Sequence, residues 1–224
     1  MKIPIVIVLA LLFIGSTKSK AQASAAERQM ENQGMVDIHT VDESIRVSLM
    51  YGRPDNFTGK LLYTDLTHAY LHPKAALALA KAQKYLQKEH PEWSLIIFDA
   101  CRPMHIQQKM WNVVKGTSVE NYVSNPARGG GLHNYGMAVD ISICNLRGDT
   151  LMMGSKVDHM SRLSHIDEEY LLMKHHQISC TALKNRQLLR CVMRKAGFRP
   201  LRTEWWHFNF ISRSTAKKYY KYVK

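Results

Sequence analysis

The chain has 224 residues, 46% of them hydrophobic, and carries a formal net charge of +13 at pH 7. This length suits one domain or two small ones, and the hydrophobic fraction excludes a disordered chain. No nucleic-acid recognition module accompanies the basic charge, which argues against a nucleic-acid-binding protein.

The N-terminal residues have the pattern of a secretory signal peptide. Lys2 precedes an unbroken apolar run over residues 3–15, and Ala21 and Ala23 form the small-x-small pattern of a cleavage site. The run is shorter than the roughly 20 residues that span a bilayer, which favours cleavage after Ala23 over a retained membrane anchor. We therefore expect a signal peptide over 1–23 and an exported protein, periplasmic or extracellular.

Cleavage would remove three lysines and no acidic residue, which lowers the net charge from +13 by three to +10. An exported protein this basic has a cell-wall surface as a candidate anionic partner, whereas an ordinary solvated surface explains the charge equally well. The oligomeric state is left open by the sequence.

Hydrophobic periodicity predicts alternating strands and helices after a flexible lead-in over residues 24–36. The predicted strands cover residues 45–52, 94–100, 137–143 and 203–211. The predicted helices cover residues 72–90, 102–114 and 181–197. Because no βαβ repeat is evident, we expect an α+β fold: a single domain over 37–224 with a central, largely antiparallel β-sheet flanked by helices.

Two predicted strands carry a polar group among apolar neighbours. Asp140 lies in "MAVDISI" and His207 in "TEWWHFNFI". A buried carboxylate is costly unless it is paired or binds a metal. His133 precedes Asp140 by seven residues, at the exit of a glycine-rich loop. His133, Asp140 and His207 together supply the ligand set of a catalytic zinc with an open fourth position.

Two further residues suit hydrolytic chemistry at such a site. Glu204, three residues before His207, is placed to take a proton from a water whose pKa zinc has lowered. Arg102 follows a buried strand and could stabilise a developing oxyanion. Isolated histidines and aspartates are more often structural. The catalytic interpretation is favoured because three separate segments each place a polar group where packing disfavours it.

Several motifs then resemble the D-alanyl-D-alanine dipeptidases, the VanX type of vancomycin resistance. These motifs are "DNFTG" (55–59), "FDACRP" (98–103), "HNYGMAVDISI" (133–143), "MGSKVD" (153–158) and "EWWH" (204–207). The motifs occur in the same order as in the family, and the whole resemblance extends from about residue 37 to about residue 211. The resemblance implies a zinc metallopeptidase related to D-Ala-D-Ala carboxypeptidases, with a fold shared by the Hedgehog signalling domain.

The resemblance also implies a role for individual residues and one Zn²⁺ per chain. The matching positions are the zinc ligands His133, Asp140 and His207, the general base Glu204, the transition-state arginine Arg102, and Tyr51 and Asp158 at the amino end of the substrate. A buried carboxylate that holds an ammonium group favours dipeptides over longer chains. Gly131 and Leu132 stand where the family often has a serine pair, so the preferred dipeptide is left open.

The predicted function is zinc-dependent hydrolysis of D-Ala-D-Ala, or of a similar D-dipeptide, in cell-wall peptide turnover. One alternative is a murein D,D-carboxypeptidase or endopeptidase that acts on longer stem peptides. The other is a zinc-stabilised wall-binding domain without catalysis, against which the presence of both Glu204 and Arg102 argues.

The four cysteines of the chain match no zinc-finger spacing. They are Cys101, Cys144, Cys180 and Cys191. In an oxidising compartment they could form up to two disulfides, whereas free cysteines often act as small buried hydrophobic residues. The sequence leaves this choice open.

Overall fold

The computed structural model describes residues 23–224, so that the predicted signal peptide, apart from Ala23, lies outside the described residues. The helices are α1 (Ala25–Asn32), α2 (Pro73–Glu89), α3 (Met104–Val114), α4 (Glu169–Lys174), α5 (Cys180–Lys195) and α6 (Arg213–Tyr219). The strands are β1 (Val36–Asp37), β2 (Arg46–Val47), β3 (Tyr70–Leu71), β4 (Trp93–Asp99), β5 (Ala138–Asn145), β6 (Arg199–Leu201) and β7 (Glu204–Asn209).

Five of these strands form the central sheet, in the order β2-β4-β5-β7-β6. Only the short β2 pairs in parallel, with β4, and the other neighbours in this sheet are antiparallel. The remaining two strands, β1 and β3, form a separate antiparallel pair. The predicted α+β fold with a largely antiparallel sheet is therefore confirmed.

The pairing of β5 with β7 places the two polar residues side by side. Val139 and Ile141 are fully buried, as the apolar half of an alternating strand should be. In the register of this pair, Asp140 lies directly opposite His207. Directly opposite residues of antiparallel strands project from the same face of the sheet, so both side chains reach the same space.

Two long helices complete the core beside the sheet. Helix α2 has Pro73 at its first turn, where a proline needs no hydrogen-bond partner, and it ends just before Pro91. It packs against α5 and β4. The fully buried side chains of Leu79 on α2 and Leu189 on α5 belong to the same hydrophobic cluster as Ile141 on β5.

The structure differs from the predicted flexible lead-in over residues 24–36. This segment contains α1, which starts with a capping box in which Ser24 and Glu27 satisfy each other's backbone N–H groups. Glu27 and Met30 are buried against the rest of the chain. The sequence did not predict this helix because the segment is polar and shows no clear hydrophobic periodicity. Its stability depends on contacts with residues far away in the sequence.

Two other segments also contain helices that the sequence did not reveal. The polar stretch over 144–178 includes the short α4, and the basic C-terminal tail includes α6. The predicted strand over 45–52 shrinks to the two residues of β2, followed by a 3-10 turn over Met50–Gly52. Short elements carry too few residues for a period to stand out.

All four cysteines are free thiols. Cys101 and Cys144 are buried, and Cys180 and Cys191 are exposed. None of the helices found in residues 23–224 combines the length and the apolar character needed to cross a membrane.

Candidate active site

Three side chains meet where β5, β7 and the glycine-rich loop come together. The Nε2 atom of His133 lies 3.3 Å from Oδ1 of Asp140 and 3.2 Å from Nδ1 of His207. Nδ1 of His207 lies 3.0 Å from Oδ1 of Asp140. The predicted metal ligands thus form a nearly equilateral triangle of two nitrogen atoms and one oxygen atom.

Both imidazole rings are oriented by a hydrogen bond on the side that faces away from the triangle. Nδ1 of His133 donates to the carbonyl oxygen of Ala100 at 2.7 Å. Nε2 of His207 donates to Oδ1 of Asn209 at 2.9 Å. Each ring therefore carries its proton outside the triangle and turns an unprotonated nitrogen inward, as a metal-binding histidine does.

This arrangement fits a bound metal ion. Two imidazole lone pairs and a carboxylate oxygen converge on one point, where only a cation can satisfy all three acceptors. Tetrahedral zinc with ligand distances of about 2.0–2.2 Å requires its ligand atoms to lie about 3.4 Å apart. The observed sides of the triangle, 3.0, 3.2 and 3.3 Å, are close to that spacing.

The backbone around His133 is fixed by tight turns. Gly136 ends the 3-10 turn Leu132–Tyr135 with φ at +63°, and a Cβ atom there would lie 2.6 Å from Sδ of Met35. Asn134 is fully buried and donates from Nδ2 to the carbonyl oxygen of Arg102 at 2.8 Å. The turn that positions His133 is therefore bonded directly to the segment that carries Arg102.

Arg102 is held in place by two partners. Nε and Nη2 donate to Oδ2 of Asp99, and Nη1 donates to Oε1 of Gln107 at 2.9 Å. Asp99 is fully buried and also accepts a hydrogen bond of 2.6 Å from the hydroxyl of Tyr63. Because a guanidinium has five N–H groups, two remain for a substrate, and Arg102 lines the cavity in which the three ligands lie.

Glu204, the first residue of β7, is buried beside the triangle. Its Oε2 lies 3.9 Å from Nδ1 of His207. Burial, together with the negative charges of Asp140 and Asp158, raises the pKa of Glu204 to about 8. The carboxyl group thus lies close to the metal ligands without being one of the three ligand atoms. Its pKa is suited to accepting and releasing a proton near neutral pH.

Asp158 and Tyr51 form a second polar pair in the same cavity. The Tyr51 hydroxyl donates to Oδ2 of Asp158 at 2.8 Å. Burial, followed by the negative charge of Asp140, raises the pKa of Asp158 to about 7. A partly buried carboxylate without a salt-bridge partner among residues 23–224 suits a cationic ligand such as an ammonium group.

One cavity of about 230 Å³ contains all of these groups. The seven residues predicted from the sequence, Tyr51, Arg102, His133, Asp140, Asp158, Glu204 and His207, all line it. The structure therefore brings together every predicted site residue, although these residues span more than 150 positions of the chain.

The structure also reveals supporting residues that the sequence reading missed. Asp99 and Gln107 orient Arg102, and Asn209 orients His207. Asp99 is the last residue of a buried strand and stands three residues before Arg102. This spacing could have indicated that the two side chains form an ion pair. Asn209 stands two residues after His207 on the same face of the strand, so the alternation could have pointed to it as well. No such spacing marks Gln107, five residues after Arg102.

Comparison with known proteins agrees with the resemblance. A peptidase family model described as D-ala-D-ala dipeptidase matches residues 31–224. The D-alanyl-D-alanine dipeptidase of Escherichia coli K12 is 32% identical over 174 residues, which cover 78% of this chain and 83% of the relative. A D-alanyl-D-alanine dipeptidase of Enterococcus faecalis V583 is 27% identical over 214 residues, covering 87% of this chain and 99% of the relative.

A solved structure gives a more distant match. It is a mutant of the vancomycin resistance D,D-pentapeptidase VanY from a VanB-type resistance cassette, in complex with Zn(II). The match has 14% sequence identity and a TM-score of 0.32, and it covers 67% of this chain and 78% of that one. The family model, which spans the cavity and every residue of the triangle, decides the assignment: this chain is a member of the D-Ala-D-Ala dipeptidase family of peptidases.

Proposed function

We propose that this protein is a zinc-dependent dipeptidase that hydrolyses D-Ala-D-Ala or a closely similar D-dipeptide. The observation that carries the proposal is the single cavity in which three metal-ligand atoms, a buried carboxyl group and an ammonium-binding pair face one another. Its volume of about 230 Å³ suits a dipeptide better than a stem peptide. The family membership supports the same substrate class and does not favour the alternative of a murein carboxypeptidase.

Zinc would be held by His133, Asp140 and His207, and when bound it would polarise the scissile carbonyl and acidify water. We propose one zinc ion per chain, because this is the one cluster of three such ligands found within residues 23–224. Metal analysis of the purified protein should give a ratio near one, and a His133→Ala variant should give a ratio near zero. A full complement of zinc in that variant would refute the ligand assignment.

The remaining roles belong to side chains of the chain itself. Glu204 takes a proton from the attacking water and passes it to the leaving amine, for which a pKa near the working pH is favourable. The two free N–H groups of Arg102 stabilise negative charge that develops on the carbonyl oxygen. Asp158, supported by Tyr51, holds the ammonium group of the substrate.

The direct test is release of free alanine, of either configuration, by the zinc-loaded protein. D-Ala-D-Ala, L-Ala-L-Ala and a pentapeptide ending in D-Ala-D-Ala would be compared, and we expect the first to react fastest. Glu204→Gln should lower kcat by about 10² to 10⁴-fold while zinc content is retained. Glu43→Gln, at an exposed position, serves as the matched control. Faster cleavage of the pentapeptide would replace the dipeptidase assignment by the carboxypeptidase one.

We also propose that the protein is exported and acts on dipeptides derived from the cell wall. The signal-peptide pattern of the sequence supports export, and the predicted cut after Ala23 would leave the capping residue Ser24 and all of α1 in the mature chain. Fractionation of cells that express the full chain should recover a product starting at Ser24 outside the cytoplasm. Recovery of the intact chain in the cytoplasm would contradict export.

A further inference from the structure

The cavity contains one cationic side chain that the chemistry above does not use. Arg213, the first residue of α6, lines the cavity. Nη2 of Arg213 donates to the carbonyl oxygen of Arg128 at 3.2 Å, and its guanidinium has no acidic partner within 4 Å among residues 23–224. The other arginine of the cavity, Arg102, is neutralised by Asp99. Arg213 is therefore the uncompensated positive charge of this site.

A hydroxyl group that lines the cavity precedes the loop whose Arg128 carbonyl accepts the hydrogen bond from Arg213. Ser124 lines the cavity, and its Oγ atom makes no hydrogen bond in the described part of the chain. The wall is closed by Gly131, where a Cβ atom would lie only 2.8 Å from Oγ of Ser124. The absence of a side chain at position 131 thus makes room for Ser124, whose hydroxyl is left free to donate.

The cavity also carries the complementary charge. Asp158 accepts a hydrogen bond from Tyr51, whose ring packs edge-on against Phe57, and neither residue contacts Arg213 or Ser124 through a hydrogen bond or ion pair in the described part of the chain. A free dipeptide has an ammonium group at one end and a carboxylate at the other. The cavity offers Asp158 for the first and Arg213 with the hydroxyl of Ser124 for the second.

We propose that Arg213, assisted by the hydroxyl of Ser124, binds the C-terminal carboxylate of the dipeptide. This inference rests on the proposed dipeptidase function and extends it, because it makes a free carboxyl end a requirement of the site. An arginine presents N–H groups in a planar fork that matches a carboxylate. Arg213 is largely exposed, so solvent weakens the pair, and we expect its removal to cost about tenfold rather than a thousandfold.

The experiment compares D-Ala-D-Ala with D-alanyl-D-alaninamide, which has the same scissile bond but no carboxylate. The zinc-loaded wild type should prefer the free acid. Arg213→Ala should lower kcat/KM about tenfold for the acid, chiefly through KM, and less than about twofold for the amide. Arg213→Lys should restore part of the loss. Arg128→Ala, a neighbouring exposed arginine whose side chain is outside the cavity, should change neither substrate.

The outcomes separate this inference from the proposed function. If Arg213→Ala slows both substrates equally, or slows neither, Arg213 does not bind the carboxylate and the inference is wrong. If the wild type hydrolyses neither substrate, the dipeptidase proposal fails. Calorimetric binding of the two compounds to the wild type and to Arg213→Ala then still decides whether Arg213 recognises the carboxylate.

Discussion

Asp158 has a left-handed backbone, with φ at 63°, which is uncommon for a residue other than glycine. Aspartate and asparagine tolerate this conformation better than most residues. The position thus combines a costly backbone with a partly buried carboxylate that has no salt-bridge partner among residues 23–224, which is typical of a residue kept for binding. It also allows a clean test, because asparagine fits the same backbone without the charge.

For Asp158→Asn we expect a rise in KM for D-Ala-D-Ala of about 10 to 100-fold, because the neutral amide cannot compensate the ammonium group. Discrimination against N-acetyl-D-Ala-D-Ala should fall in the same variant. Steady-state kinetics on both substrates measure the effect. Asp55→Asn, whose side chain is 72% exposed, should leave both values unchanged. Unaltered discrimination in Asp158→Asn would place the ammonium group elsewhere.

The turn after His133 shows how one glycine positions a ligand at the scale of an element. Gly136 has φ at +63°, and its carbonyl oxygen accepts a hydrogen bond of 3.0 Å from the N–H of His72. The ideal position of a Cβ atom is 2.8 Å from that same nitrogen. Gly116 has a similar φ of +78°, but no atom lies within 4 Å of the position of its Cβ atom. Substitution of Gly116 by alanine therefore measures the cost of the backbone conformation alone.

We expect Gly116→Ala to lower the free energy of unfolding by about 1 kcal/mol, the cost of the left-handed backbone. Gly136→Ala should cost about 2–4 kcal/mol, because overpacking is added to that strain. It should also weaken zinc binding, since His133 lies in the same turn. Urea unfolding and zinc titration of both variants measure this. Equal effects of the two substitutions would show that the close packing around Gly136 is unimportant.

Helix α1 is anchored by one buried carboxylate. Oε2 of Glu27 accepts from the N–H of Ser24, and Oε1 accepts from Thr67 and from Nδ1 of His68. Burial alone would raise the pKa of Glu27, but the hydrogen bonds outweigh it and lower the pKa to about 2. A carboxyl whose pKa is lower in the folded state stabilises the fold above its unfolded pKa of 4.5 and loses this contribution as the pH falls toward 2.

The expected consequence is a loss of about 2–3 kcal/mol of stability from Glu27 between pH 5 and pH 2. Glu27→Gln should be less stable than the wild type by a similar amount at pH 7, and the difference should shrink as the pH falls. Urea unfolding at several pH values tests this. Glu43→Gln, an exposed substitution, should parallel the wild type throughout. A difference that stays constant with pH would mean that the charge of Glu27 is not what stabilises the fold.

Helices and strands with a clear hydrophobic periodicity were predictable from the sequence, whereas short elements were not. Asp140 and His207 stood out as polar residues in apolar strands, and the pairing of β5 with β7 places them directly opposite each other. The predicted helix over 72–90 likewise agrees with α2. The seven-residue α6, which supplies Arg213, lay in a tail with no clear period. Its contribution to the cavity depends on contacts that only the folded chain contains.

The whole molecule brings the site together over long distances in the sequence. Asp140 and His207 are 67 residues apart, and His133 and His207 are 74 residues apart. The sequence pointed to Asp140 and His207 because each is a polar residue in an apolar strand, and His133, seven residues before Asp140, completed the predicted ligand set. It could not predict the order β2-β4-β5-β7-β6, which makes β5 and β7 neighbours and so determines the distances within the triangle.

A metal ion at this triangle should stabilise the fold as a whole, because its ligands lie on two paired strands and on the turn before one of them. Binding that is specific to the folded state adds about 4 kcal/mol when free zinc is a thousandfold above its Kd. For a chain of this length that corresponds to a rise in Tm of roughly 10 °C. Without the ion, the three acceptors face one another unfavourably, so chelation should lower the Tm by a similar amount.

Thermal unfolding with and without a chelator checks this expectation. In His207→Ala the triangle loses one ligand, so zinc should shift the Tm little or not at all. His175→Ala removes an exposed histidine from a position outside the cavity and should keep the full shift. A shift that persists in His207→Ala would show that zinc stabilises the protein from another site. A wild-type Tm that is insensitive to zinc would mean that the triangle forms equally well without a cation, which the convergence of three acceptors argues against.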